Sequence, residues 1–434
     1  MKFFLRFFCV ISCFFLLNSC KSSRQKADLI VTNAKVYTVD TAFSVTEAFA
    51  VKDGKIIETG TSQFISETFD ADTVIDAQGK IIFPGFIDAH CHFYNYGMGL
   101  NEVNLVGTNS FEEVLERVKN FSASHPAVKN DPRSEWIIGR GWDQNDWKNN
   151  QFPDRAKLDE LFPDRPVLLT RIDGHAALAN KTALKRAGIH YGSSIGGGKI
   201  EFRENFDQED WSDPLMKVET GKLNFRGKSP SGILIDNAVK LVEDLIPMPS
   251  REAKEKALMA AQRDCFENGL TTIDDAGLDK EIILLIDSLQ KAGQLQMRIY
   301  AMISSTQNNF DYFLHRPKIK TQYLNVRSFK FYADGALGSR GACLKEDYQD
   351  KKNWKGFLLQ QAEYFRLHAA KMFENGFQMN THCIGDSSDY VIGTIYRNQI
   401  NPTGKDEDAL KKYRWRTEHA QIRSEEHTSE LQSH

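Results

Sequence analysis

Among the residues able to do chemistry, His90 and His92 stand out first. They close the run Phe83-Pro84-Gly85-Phe86-Ile87-Asp88-Ala89-His90-Cys91-His92. The residues leading to them are apolar and strand-like. Side chains alternate across a strand, so both imidazoles face one way and Cys91 the other. Two neutral imidazoles side by side make half of a divalent-metal site. An ion held there would lower the pKa of bound water from about 15.7 toward ~7, giving hydroxide at neutral pH. A His-x-His pair alone also fits two exposed or core histidines, so the surrounding elements have to decide.

Those elements change character at Pro84. Residues 28–83 read as short strands, with Asp53-Gly54 between two of them as a hairpin turn. This is a small N-terminal β-sandwich domain. Beyond Pro84, apolar strands alternate with amphipathic helices. Strand candidates are 81–89, 167–171, 270–275, 297–303, 326–332, 378–381 and 414–417; helix candidates are 111–124, 181–187, 251–268, 280–292 and 361–375. Such alternation argues for a parallel sheet, and its length favours a closed barrel with active-site residues at the strand C-termini. The fold class expected is α/β, a TIM-like (β/α)8 barrel without its last strands, spanning residues 84–422. Residues 130–245 hold more loop than a plain barrel needs and are expected to contain an inserted subdomain; Gly192 to Ser231, rich in Gly, Asp and Ser, reads as an inserted subdomain or lid.

The run from Pro84 to His92 after a small β domain resembles the first-strand signature of the amidohydrolase superfamily. Further segments resemble its amidohydrolase-3 or YtcJ-like branch, which includes N-substituted formamide deformylase. They are Gly141-Trp142-Asp143, Asp173-Gly174-His175-Ala176-Ala177, Lys330 to Arg340, His382-Cys383-Ile384-Gly385-Asp386 and Glu418-His419-Ala420-Gln421. Their order and spacing hold from about residue 28 to 422. The resemblance implies that His90, His92, His382 and His419 bind metal. The last two follow short strand signals of their own. It also gives Lys330 as a ligand. A Lys ammonium, with pKa near ~10.4, has no lone pair to give. Carboxylation by CO2 would make a carbamate able to bridge two cations; a Lys facing solvent or pairing with Asp334 is the other possibility. His and carbamate suit zinc, one or two ions, with iron and manganese the alternatives.

The implied activity is hydrolysis of a non-peptide, amide-like C–N bond in a small molecule by metal-bound hydroxide, a carboxylate carrying the proton to the leaving amine. The family's carboxylate is an Asp at the end of strand eight; no such segment follows here, so no catalytic base is assigned. Asp173, His175 and Asp334 are candidates for substrate contact, Asp173 with loop capping as its equal alternative. Asp386 is a candidate partner for orienting His382. Cys91 and Cys383 are expected to be core thiols. The alternatives to an amidohydrolase are a barrel hydrolase acting on esters or lactones, and an inactive fragment of such an enzyme.

Composition agrees with a globular protein. The 434 residues carry a net charge of −3, with 41% hydrophobic and 26% charged residues, and no basic patch suggests nucleic acid. Lys2 and Arg6 precede an apolar run, Phe7 to Leu17, too short to span a bilayer and shaped like a signal-peptide core. Leu17-Asn18-Ser19-Cys20 resembles a lipobox, so residues 1–20 would be a lipoprotein signal with Cys20 lipidated, and 21–27 a tether. A plain secretory signal is the alternative. The expected location is the cell envelope, with a lipid anchor in the membrane. Residues 423–434 break the pattern and resemble a translated sequencing-library adapter, so His427 and His434 are given no role.

Overall fold

The computed structural model describes residues 24–128, 132–204, 211, 228–405 and 408–422. The expected signal segment with Cys20, the first three residues of the expected tether and the 423–434 tail lie outside the described residues. Among the described residues, no helix is long and apolar enough to cross a membrane. The chain divides into two compact units, Met1–Phe86 and Ile87–His434.

The first unit holds two small sheets. One runs in the order Lys55–Gly60, Ala48–Lys52, Gln25–Thr32, Phe69–Asp76; the other is Val45–Thr46, Lys35–Tyr37, Ile81–Ile82. The Asp53-Gly54 turn has φ of 51° and 70°, the left-handed pair that a tight hairpin demands. Its first strand begins at Gln25, inside the segment expected to be a tether. Gln25 and Lys26 pair with Phe69 and Asp70, and the Lys26 ammonium meets the Asp70 carboxylate at 2.5 Å. Val31, Ala34, Val36 and Ala77, with Leu29, Phe49 and Ile82, form an apolar cluster drawn from both sheets.

The second unit is an α/β body built on one curled sheet. Its strands, in spatial and chain order, are Phe86–Cys91, Leu270–Leu278, Arg298–Ser304, Leu324–Tyr332, Gln378–Cys383 and Arg416–His419. These are called here the first to sixth barrel strands. From the second to the sixth, every pairing along the path is parallel. Helices Arg251–Glu267, Lys280–Lys291, Ala362–Glu374 and Asp386–Ile400 lie between consecutive strands in the chain. Their apolar stripes meet the sheet in one large core that includes Leu258, Ile286, Phe329, Phe331, Met379 and Ile392. A parallel sheet needs such crossovers, and they cover its outer face.

Between the first and second barrel strands lies a separate six-stranded sheet. Its order is Gly198–Glu204, Lys228–Asp236, Ala176–Ala179, Val167–Arg171, Ile137–Trp142, Val103–Asn104. Alternate residues feed two apolar clusters: Leu169, Leu178 and Ile235 go to one, Leu168, Ala177 and Leu234 to the other. This sheet starts at Val103, earlier than residue 130, where the insertion was expected to begin. The helix Phe111–Ser124, expected as part of the barrel rhythm, places Val114 and Val118 in the inserted sheet's core. Strand-then-helix has the same pattern in either sheet, and only the pairing of Val103 with Gly139 assigns it.

Candidate functional site

Four histidines expected to share a cation arrive from three barrel strands and stand in a continuous row. The rings of His92 and His90 lie 5.7 Å apart, His90 and His419 4.6 Å, and His419 and His382 4.6 Å. The row continues to His175, 4.8 Å from His382. Imidazoles bound to one ion with N–metal distances of about 2.0–2.1 Å would have ring centres roughly 5 Å apart. The spacing along the row therefore suits ligands. Among the described residues, however, no three His, Cys, Asp or Glu groups are gathered about one point as an ion would need. Lys330 reaches the same place: its Nζ is 3.4 Å from His90 Nε2, and the residue is fully buried. It faces neither solvent nor Asp334.

At His92, His382 and His419 burial favours the neutral ring, the form that donates a lone pair. It pulls His92 down to about 3 and His419 down to about 4, with the nearby Lys330 charge adding in both cases. His382 is held well below the ordinary value, first by burial and then by His175 and His419. Burial also lowers Lys330 to about 8, so the free amine is far easier to reach than in water.

Glu418 is part of this site, and sequence reasoning gave it no role. Its Oε2 accepts from His90 Nδ1 at 2.7 Å, while Oε1 accepts from Arg416 Nε at 2.8 Å. Arg416 in turn lies 3.5 Å from Asp274 on the second barrel strand. A carboxylate only accepts, so the proton sits on His90 Nδ1 and the Nε2 lone pair faces Lys330. Strand alternation would send Glu418 and His419 to opposite faces. His419 and Ala420 instead have φ of 74° and 43°, and this break in the extended backbone lets both neighbours approach His90. The signal available in the sequence was the Glu418-His419 adjacency alone.

The remaining candidates have other occupations. Asp334 has no exposed side-chain surface and its carboxylate accepts from the amides of Cys343, Ile384 and Gly385 and from Ser388 Oγ. It anchors the loop after the fourth strand to the end of the fifth, with Oδ1 3.6 Å from His382 Nε2. A carboxylate so occupied has little capacity left for the substrate contact expected of it. Asp386 accepts from the Lys345 amide and does not orient His382. Asp173 takes the Arg171 guanidinium at 2.5 Å and the His175 amide at 2.9 Å, which is the loop-capping alternative. His175 Nδ1 is 2.7 Å from Asp236 Oδ1. Burial opposes protonation of His175, but the bond to Asp236 and the charges of Asp236, Asp173 and Asp334 outweigh it and raise the ring's pKa. Asp275 is sealed in, with its carboxylate on the Tyr94 amide at 3.0 Å. Cys383 is fully buried in the main core and Cys91 packs against that core, as alternation requires.

Known proteins carry related sequences. The chain is 28% identical over 409 residues to Protein LONG AFTER FAR-RED 3 of Arabidopsis thaliana, covering 91% of this chain and 64% of that protein. It is 30% identical over 358 residues to YtcJ of Bacillus subtilis, covering 81% and 62%. With N-substituted formamide deformylase of Arthrobacter pascens it shares 28% over 279 residues, 62% of this chain and 46% of that enzyme. The chain thus spans less than two thirds of the length of these relatives. Its fold is similar to a metal-dependent hydrolase from Pyrococcus horikoshii, with a TM-score of 0.64 at 20% identity, over 93% of this chain and 72% of the other. The Amidohydrolase family model matches residues 73–207 and 220–432, running past Ile422, where the family pattern was expected to stop. With most of its length matched in this way, the chain belongs to the amidohydrolase family.

Proposed function

We propose that this chain carries the metal-binding part of a hydrolase that cleaves the C–N bond of a small, non-peptide, amide-like substrate. The observation that carries it is the row of four imidazoles from three barrel strands, with the Lys330 amine 3.4 Å from His90 Nε2. His90, His92, His382 and His419 would hold a divalent cation, zinc by the softness of the donors, and Lys330 would join them as a carbamate. The cation supplies Lewis acidity, making water a nucleophile at neutral pH and polarising a carbonyl. Glu418 keeps the proton on His90 Nδ1, which commits Nε2 to binding. Asp334 ties the chain just after His382 to the loop that follows the fourth barrel strand. His175 is the residue best placed to meet substrate, beside His382 and outside the ligand set. Amide chemistry is favoured by the likeness to a protein named as an N-substituted formamide deformylase.

The cell envelope is the proposed location. Its support is the charged start, the apolar run and the Leu17-to-Cys20 tetrad, with Cys20 the lipid anchor to the membrane.

Metal analysis of the purified protein, followed by assay on N-substituted formamides, other amides, esters and lactones, tests the function. Stoichiometric metal and turnover of a C–N substrate are expected. Turnover of esters or lactones alone would move the assignment to the related hydrolases, and a protein that retains no metal would end it.

A further inference from the structure

We infer that Asp236 is a positioning residue that fixes which nitrogen of His175 meets the substrate; this rests on the reading of His175 given above. The two residues are set opposite each other at the ends of antiparallel strands. Ala176 pairs with Ile235, and one step beyond that pair the Asp236 amide donates to the His175 carbonyl at 2.7 Å. The side chains then meet as well, Oδ1 to Nδ1 at 2.7 Å. The Asp236 carboxylate has no exposed surface, against 16% for the His175 side chain. With Nδ1 held at the buried end, Nε2 is the nitrogen left for a ligand, and the ring stands beside His382.

Three features show that the fold accommodates Asp236 at a cost. Its backbone sits at φ 51° and ψ −123°, a region that suits glycine and strains other residues. Its Oδ2 is buried and has no hydrogen-bond partner among the described residues. The loop after the fourth barrel strand makes room for it only with glycines. A Cβ at Gly335 would stand 2.5 Å from both carboxylate oxygens, and one at Gly341 would run into Oδ2. A residue kept solely for stability would avoid all three. Strain, an orphaned oxygen and two glycine neighbours are the pattern expected where a carboxylate is retained for what it does to its partner.

The test uses Asp236→Gly, which removes the carboxylate at a backbone angle glycine adopts freely, and Asp236→Asn, which retains an acceptor for Nδ1. Imidazole nitrogen NMR of the full chain is expected to show His175 protonated at Nδ1 in the parent, a mixture of tautomers in Asp236→Gly, and return to the parent form in Asp236→Asn. Thermal melts and metal content are expected to stay near the parent's. On an N-substituted formamide, Asp236→Gly should lower kcat/KM by about 10- to 100-fold. Combined with His175→Ala it should add nothing, because the two residues act as one. An unchanged His175 tautomer in Asp236→Gly, or losses that add in the double variant, would overturn the inference. If the parent hydrolyses nothing, the functional proposal fails, and the NMR result still decides the role of Asp236.

Discussion

His90 is divided between two neighbours, Glu418 at Nδ1 and Lys330 at Nε2, 2.7 Å and 3.4 Å away. The arrangement makes the ring's tautomer a property of the chain before any cation is considered. Removing the carboxylate by Glu418→Ala should weaken binding of zinc by about 10- to 100-fold, measured by competition with a chromogenic chelator. An unchanged affinity would show that Glu418 serves only Arg416. Lys330 gives a second prediction at this scale. Its pKa is pushed down to about 8 by burial, so a useful fraction of the amine is free at neutral pH. In 13C-bicarbonate the parent should show a carbamate carbon resonance that disappears in Lys330→Met. Glu418 was not legible in advance because alternation along a strand, a sound rule for Cys91 and Cys383, fails where His419 and Ala420 turn to positive φ.

Elements hold these residues in place through close contacts that short motifs do not reveal. The helix Phe93–Gly99 begins directly after His92 and packs on Arg251–Glu267. At Gly97 the two backbones touch, and an added Cβ would run into the Ala257 carbonyl oxygen. Gly97→Ala gains about 1 kcal/mol of helix propensity but forces a packed helix away at a cost of about 1–3 kcal/mol. The clash should win, lowering the urea midpoint. The same helix starts on Asp275, whose carboxylate accepts from the Tyr94 amide. Burial, partly opposed by the Tyr94 and Phe93 amides, raises the pKa of Asp275 to about 7 from an ordinary 3.8. The folded state therefore holds a proton that the unfolded state has released. Stability contributed by this group is full below about 3.8 and is lost as pH rises toward about 7. Asp275→Asn should flatten that part of a stability-against-pH curve of the metal-free protein, and an unaltered slope would assign the proton elsewhere.

For the whole molecule, the binding reading links the site to stability. A cation that binds only the folded protein adds about 2.7 kcal/mol at a hundredfold excess over its Kd. Chelation should therefore lower Tm, and one divalent metal should restore it without refolding. A melting curve indifferent to chelator and metal would argue that the imidazole row is structural. The inserted sheet should respond differently. It has apolar clusters of its own, built on Leu169 and Leu178 on one side and Leu168 and Leu234 on the other. Its amides are expected to exchange with solvent at nearly the same rate with and without metal, in contrast to those of the fifth and sixth barrel strands.

The sequence by itself determined the local structure and much of the chemistry. Apolar alternation and helix stripes located Phe111–Ser124 and Val167–Arg171 at their observed bounds, because hydrophobic period and capping are properties of neighbouring residues. His-x-His at a strand end was legible for the same reason. Tertiary structure alone decided which sheet each strand joined. It set Val103 beside Gly139, and it brought Glu418 to His90 and Asp236 to His175. Those pairs are 36, 328 and 61 residues apart. Contacts across such spans follow from the curl of a sheet and the left-handed turns at Asp236, His419 and Ala420, which no local pattern encodes.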